Sequence, residues 1–162
     1  MEDVRPVSVV EVGYGDPVAF YRREHASAVR LAVALVDVTA IAEDLVQEAF
    51  ARVWERWDRI DVPAAYLRVC LVNLCRRELR RRVLLRRRQT EPADSAPVAR
   101  DEPRLLLDAI RALPPRRRAV VVLRFYEDLS EAETAKLLHI RPSTVRSTLH
   151  QALAQLREVI ER

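Results

Sequence analysis

Apolar residues recur along most of this chain at intervals of three and four, the spacing that lines one face of an α-helix. Asp16 and Pro17 are start signals, and Phe20, Tyr21, Ala28, Leu31, Ala32 and Leu35 then predict a first helix. A second follows Thr39. Its stripe of Ile41, Leu45, Val46, Ala49, Phe50, Val53, Trp54 and Trp57 leaves Glu43, Asp44, Gln47, Glu48, Arg52 and Glu55 on the other side. Asp61 and Pro63 open a third, with Tyr66, Leu67, Cys70, Leu71 and Leu74 on its apolar side. No run of alternating β-branched residues reads as a strand, and the only glycines, Gly13 and Gly15, lie near the N-terminus. The prediction is an all-α protein.

Helical periodicity stops near Gln89. From there to Pro103 the chain holds Pro92, Pro97, Asp94 and Ser95 with no face to bury, the composition of a flexible linker. Two small helical domains are expected, residues 16–88 and 104–162, joined by a linker at 89–103. In the second, Leu105 to Leu113 is broken by Pro114 and Pro115, and Arg116 to Tyr126 offers Ala119, Val120, Val122 and Leu123 for packing. Ser130 and Glu133 then have the spacing of a capping box, a turn covers His139 to Arg141, and Pro142 opens a last long helix.

A short capped helix, a three-residue turn and a longer helix are the signature of a helix-turn-helix, whose second helix enters the major groove. Periodicity assigns Val145, Leu149, Leu153, Leu156 and Ile160 to the core. Ser143, Thr144, Arg146, Ser147, His150 and Gln151 are left outward, and such side chains reach bases and phosphates. Two residues in the turn go against local preference. His139 stands where glycine would suit positive φ, and Arg141 stands where Ser, Thr or Asp would cap, against the positive end of the helix dipole. Arg141 either meets a DNA phosphate or is solvated.

Charge sharpens the picture. The 162 residues carry a net +4 and a pI near 9.6, but nine arginines and one acid, Glu78, fall between Arg68 and Arg88. Such a run attracts a polyanion. Lys136 is the only lysine, so nearly every cation is a guanidinium able to fork onto phosphate or guanine. Cys70 and Cys75 lack metal-ligand spacing and, five apart on a helix, face different sides; they read as partly buried thiols. His25, His139 and His150 fall on different elements, and neither a Gly-rich phosphate loop nor a zinc motif occurs, so no catalytic set, metal site or cofactor is expected. Both tryptophans are expected in the core. No segment is long and apolar enough to span a bilayer, and Glu2 and Asp3 stand where a signal peptide carries positive charge, so the expected location is the cytoplasm.

Longer motifs carry a resemblance. Asp44-Leu45-Val46-Gln47-Glu48-Ala49-Phe50 with Arg52-Val53-Trp54 resembles region 2.2 of bacterial RNA polymerase sigma factors. Tyr66-Leu67-Arg68-Val69, Asn73-Leu74 and Arg80-Arg81-Arg82 resemble regions 2.3 and 2.4. Leu113-Pro114-Pro115-Arg116-Arg117-Arg118-Ala119-Val120 and Leu123 to Glu133 resemble region 4. The order matches over roughly residues 16–160, with no other sigma region between, as in the extracytoplasmic function group and its actinobacterial sigma-E-like branch.

The resemblance implies a non-enzymatic initiation factor that binds core RNA polymerase and promoter DNA, is held by an anti-sigma protein and inserts in no membrane. It implies polymerase contacts at Asp44, Leu45, Gln47, Glu48, Arg52 and Trp54. Minus-ten DNA falls to Asp61, Val62, Pro63, Tyr66, Asn73, Arg76, Arg77 and Arg80, and minus-thirty-five DNA to Arg141, Ser143, Thr144, Arg146, Ser147, His150 and Gln151. A linker of about fifteen residues reaches roughly 50 Å, comparable with about fifteen base pairs. The rivals are a one-component helix-turn-helix repressor with an N-terminal ligand or dimerisation domain, and a nonspecific RNA-binding or nucleoid protein.

Overall fold

A computed structural model of the chain describes residues 15–86 and 102–161. The N-terminal stretch Met1 to Val10, Gly13 and residues 87–101, which hold most of the linker expected at 89–103, lie outside them. Helix starts follow local chemistry. α1 (Pro17–Val36) opens on a proline, whose missing N–H costs nothing in a first turn, and Asp16 caps it by accepting from the Val18 N–H at 3.2 Å. It stops at Asp37, in left-handed backbone at φ 61°. α2 (Thr39–Trp54) and a 3-10 turn (Trp57–Arg59) lead to α3 (Pro63–Arg86). α4 (Glu102–Ala112) begins two residues ahead of the expected second domain, and α5 (Pro115–Val121) runs on into a π turn (Val122–Tyr126). α6 (Glu131–Leu138) and α7 (Pro142–Ile160) complete the chain, with no strand among the described residues.

α1, α2 and α3 pack on one another around Phe20, Leu31, Leu35, Val46, Phe50 and Val53. Aromatic rings stitch one end of this bundle: Phe20 meets Trp57 edge-on at 5.2 Å and Phe50 at 5.9 Å. Trp57 packs against the core as expected. Trp54 does not: it is 46% exposed, resting on Tyr21 and Phe50 at the rim.

In the second module α7 packs on α4, α5 and α6. Its buried stripe is Val145, Thr148, Ala152 and Leu156, whereas Leu153 and Ile160, expected inside, are exposed. The small Ala152 lets α5 come close, and the buried face therefore passes through position 152 rather than 153. Arg117 of α5 bridges this contact, donating to Gln151 and Gln155 of α7.

The two modules are packed together. One continuous core includes Leu35, Val72 and Cys75 from the first and Ala119, Leu123 and Leu138 from the second. Val72 and Cys75 are wholly buried though absent from the predicted apolar side of α3, because that helix is covered on two sides. Both cysteines are free and buried, Cys75 completely, and burial pushes the Cys75 thiol up to about 12, leaving no thiolate near neutral pH.

The turn of the helix-turn-helix has the predicted chemistry. Ser130 Oγ accepts from the Glu133 N–H at 3.2 Å while the Glu133 carboxylate accepts from the Ser130 N–H at 2.8 Å. His139 adopts left-handed backbone at φ 53°, and Arg141 precedes α7 without a side-chain cap. A left-handed non-glycine residue costs on the order of 1 kcal/mol, and an absent cap about 1 kcal/mol. His139→Gly and Arg141→Ser should each raise the urea midpoint by about that amount of stability, and Ser130→Ala should lower it; a destabilising His139→Gly would show that the imidazole does more than occupy the turn.

Candidate nucleic-acid interface

The first turns of α7 hold one candidate surface. Arg141, Ser143, Arg146, Ser147 and His150 are exposed and Thr144 half-exposed. Arg146 is held across the helix-turn-helix by a hydrogen-bonded pair with Glu131 at 2.9 Å, and that guanidinium holds the Glu131 carboxyl below its ordinary value. The Ser147 hydroxyl donates back to the Thr144 carbonyl at 3.2 Å. Gln151 is exposed, but its Oε1 accepts from Arg117, which leaves its amide N–H₂ free to read an acceptor.

α3 carries the second surface, and its arginines are of different kinds. Glu78 accepts from Arg81 at 2.8 Å and from Arg82 at 3.0 Å, and Arg82 also donates to the Val36 carbonyl at the end of α1. Arg82 is thus a strut between helices. Arg77 pairs with Glu48 of α2 at 3.2 Å. Arg76 is half-exposed, Arg80 is exposed, and neither makes an ion pair among the described residues. Asn73 lies half-exposed one turn before Arg76 and Arg77.

At the start of α3 is an open hollow of about 630 Å³ lined by Asp61, Val62, Tyr66, Arg56 and Arg59. Asp61, Val62 and Tyr66, expected together, meet here; Arg56 and Arg59 join them from a mixed-charge stretch that carries no local signature. Pro63, expected in this group, is buried as the first residue of the helix. On α2, Asp44, Gln47 and Trp54 are exposed, and Glu48 and Arg52 half-exposed and paired with each other. Leu45, expected with them, is in the core at 9% exposure: its position on the helix turns it inward.

Charge also joins the two modules. Glu127 is 10% exposed at its side chain and accepts from Arg68 of α3 at 2.7 Å. The Arg30 guanidinium donates to the Tyr126 hydroxyl at 2.8 Å. Arg118 is buried, which lowers its proton affinity, and Asp37 at 3.9 Å is the carboxylate that partly answers it; Arg111 pairs with the same Asp37 at 3.2 Å. No group of three His, Cys, Asp or Glu able to hold a metal occurs among the described residues, and no described helix is long and apolar enough to cross a membrane.

These features define a class: a two-module helical protein whose second module ends in a helix-turn-helix. The family description "Sigma-70 region 2" matches residues 20–84, and "Sigma-70, region 4" matches residues 104–156. The chain is 40% identical to the RNA polymerase sigma-E factor of Streptomyces coelicolor, over 86% of this chain and 82% of that one. It is 41% identical to the sigma-E factor of Streptomyces antibioticus, over 74% and 71%. Among solved structures, the sigma factor RpoE bound to the anti-sigma factor NepR, from Bartonella quintana, shares the fold at a TM-score of 0.69 and 19% identity, covering 88% of this chain and 97% of that one. The chain belongs to the RNA polymerase sigma factors of the extracytoplasmic function group. As such it is a transcription initiation factor that directs core polymerase to promoters. The region 2 match replaces the ligand or dimerisation domain that the repressor reading required.

Glu78 sets a pH dependence. Its pKa lies below the ordinary 4.5, first through the Arg81 hydrogen bond and then through Arg82, against the opposing effect of burial. A depressed folded-state pKa adds stability that is complete above the unfolded value and is lost as pH falls through the folded one. Between about pH 5 and pH 3 the chain should therefore lose stability more steeply than Glu78→Gln does; equal slopes in urea titrations across that window would show that the Arg81–Glu78–Arg82 cluster contributes nothing.

Proposed function

We propose that the exposed face of α2 docks on core polymerase, that α3 and the hollow at its start take minus-ten DNA, and that the first turns of α7 read the minus-thirty-five element. The carrying observation is that three surfaces rich in exposed polar side chains, on α2, on α3 and on α7, follow family order along the chain. Asp44, Gln47 and Trp54, with Glu48 and Arg52 beside them, offer an aromatic anchor within a polar rim, the composition of a protein interface. The hollow at Asp61, Val62 and Tyr66 is large enough for an unstacked base, with Arg56 and Arg59 for its phosphates. Asn73, Arg76, Arg77 and Arg80 continue along the strand. Arg141, Ser143, Thr144, Arg146, Ser147, His150 and Gln151 supply phosphate grips and base readers in the major groove.

The domain assignment is residues 16–88 for region 2, 89–103 for the linker and 104–162 for region 4. On a promoter the modules part. α6 here packs against α3, so the helix-turn-helix sits on the helix assigned to minus-ten DNA. Spanning two elements about fifteen base pairs apart requires breaking the Arg68–Glu127 and Asp37–Arg111 pairs. The chain does no chemistry itself, needs no cofactor, and works in the cytoplasm, where an anti-sigma protein opposes it. That last partner is supported by solved relatives captured with one, RpoE with NepR among them.

Run-off transcription with core polymerase on genomic fragments tests the whole assignment: discrete starts should appear only when the chain is added, and their absence at every fragment overturns it. Arg146→Ala with Gln151→Ala should cost about 1–3 kcal/mol of promoter discrimination per base contact while co-purification with core is kept. Asp44→Arg with Gln47→Arg should do the reverse, losing core enzyme while the folded chain is retained; undiminished co-purification would remove that face from the interface.

A further inference from the structure

Three guanidinium groups meet at the seam between the modules, and no carboxylate answers them among the described residues. Arg76 and Arg80 come from successive turns of α3, Arg116 from α5, and all three line one cleft of about 370 Å³. Its walls are apolar, built from Leu35, Val72 and Leu79 of the first module and Ala119, Leu138 and Ile140 of the second. The charges act on one another: burial first, then Arg80 and Arg116, depresses the proton affinity of Arg76. Gathering three like charges beside apolar walls is unfavourable unless a multivalent anion joins them. Guanidinium forks match phosphate oxygens two at a time. The volume falls in the range of small-molecule sites, and a bare phosphate would leave the apolar walls unfilled.

We propose that this seam is a binding site for a phosphorylated small molecule with a flat apolar body, of the nucleoside triphosphate kind, its phosphates held by Arg76, Arg80 and Arg116 and its ring against the apolar walls. Both modules contribute, so the site exists only while they are packed together. A ligand there ties them shut. Its regulatory consequence rests on the assignment of Arg76 and Arg80 to minus-ten DNA, since the ligand would occupy those two cations; the binding itself does not.

Calorimetric titration of the full chain with ATP, and separately with inorganic triphosphate, is the test. ATP should bind at one site per chain. Arg116→Ala and Arg76→Ala should each weaken it about tenfold or more, the loss of a charge-assisted contact, while Arg157→Ala, an exposed arginine at the far end of α7, should change nothing. Circular dichroism checks that each variant is folded, and Arg116→Lys should restore part of the binding by returning the charge without the fork. Failure to saturate, equal losses in Arg157→Ala, or triphosphate binding as tightly as ATP would each overturn the site. The first two mean diffuse attraction and the third means that the walls take no part. Binding of an acidic peptide with ATP inactive would mark the seam as a protein-docking surface and overturn it as well. Run-off transcription can succeed while ATP binding is absent, so this site and the promoter-directing role fail separately.

Discussion

α3 is buried on two sides, and most of the architecture follows from that. Leu71 and Leu74 close the bundle with α1 and α2, while Val72 and Cys75, on the adjacent flank, face α5 and the end of α6. A helix used this way cannot be amphipathic in its middle, and its polar residues are pushed toward its ends and two narrow edges. Several cations near the seam are met by an acid within reach, which offsets the cost of a buried charge left unpaired. Glu78 answers Arg81 and Arg82, Glu127 answers Arg68, and Asp37 serves Arg111 and, more distantly, Arg118.

Two of those three acids belong to contacts between the modules, and this shapes how the chain can act. Interfaces between domains of one chain are modest in size and more polar than cores, so they open more easily than a domain unfolds. Here the seam combines an apolar patch with a few ion pairs, a contact that partners with a stronger preference for the open form can shift. Closed, the chain keeps its helix-turn-helix against α3. Open, it exposes apolar flank residues such as Val72 and Cys75 that need another surface to cover them. A large partner that grips both modules at once suits that requirement better than DNA alone.

Legibility from sequence tracked how local each cause was. The Asp16 cap, the prolines at helix starts, the Ser130–Glu133 capping box and the left-handed His139 depend on neighbours within four residues, and all were readable. Whatever depends on which helix lies alongside was not. Trp54 and Trp57 share a helical stripe, yet only Trp57 turns under Phe20. Leu153 looked like core, but the approach of α5 selects Ala152. Leu45 sits inside a motif whose other members are polar, and a motif read as a string does not say which of its members turns inward. The packing of the two modules was invisible because its evidence is a second apolar flank on α3, and periodicity alone reads that as an imperfect stripe.

Arginine richness, ambiguous as composition, resolves once partners are known. Arg82, Arg118 and Arg124 are structural, each donating to a backbone carbonyl, of Val36, Arg111 and Leu129 respectively. Arg52, Arg68, Arg77 and Arg146 are held by carboxylates that fix their direction. Arg76, Arg80, Arg116 and Arg141 make no ion pair among the described residues. Arg141 is the sharpest case: a cation in the place of a cap, where the partial positive charge of the α7 amides opposes it. Water can solvate that arrangement but does not favour it. An anion at the same point would satisfy the free amides and the guanidinium together, so the local cost in the isolated chain becomes a gain on a phosphate backbone.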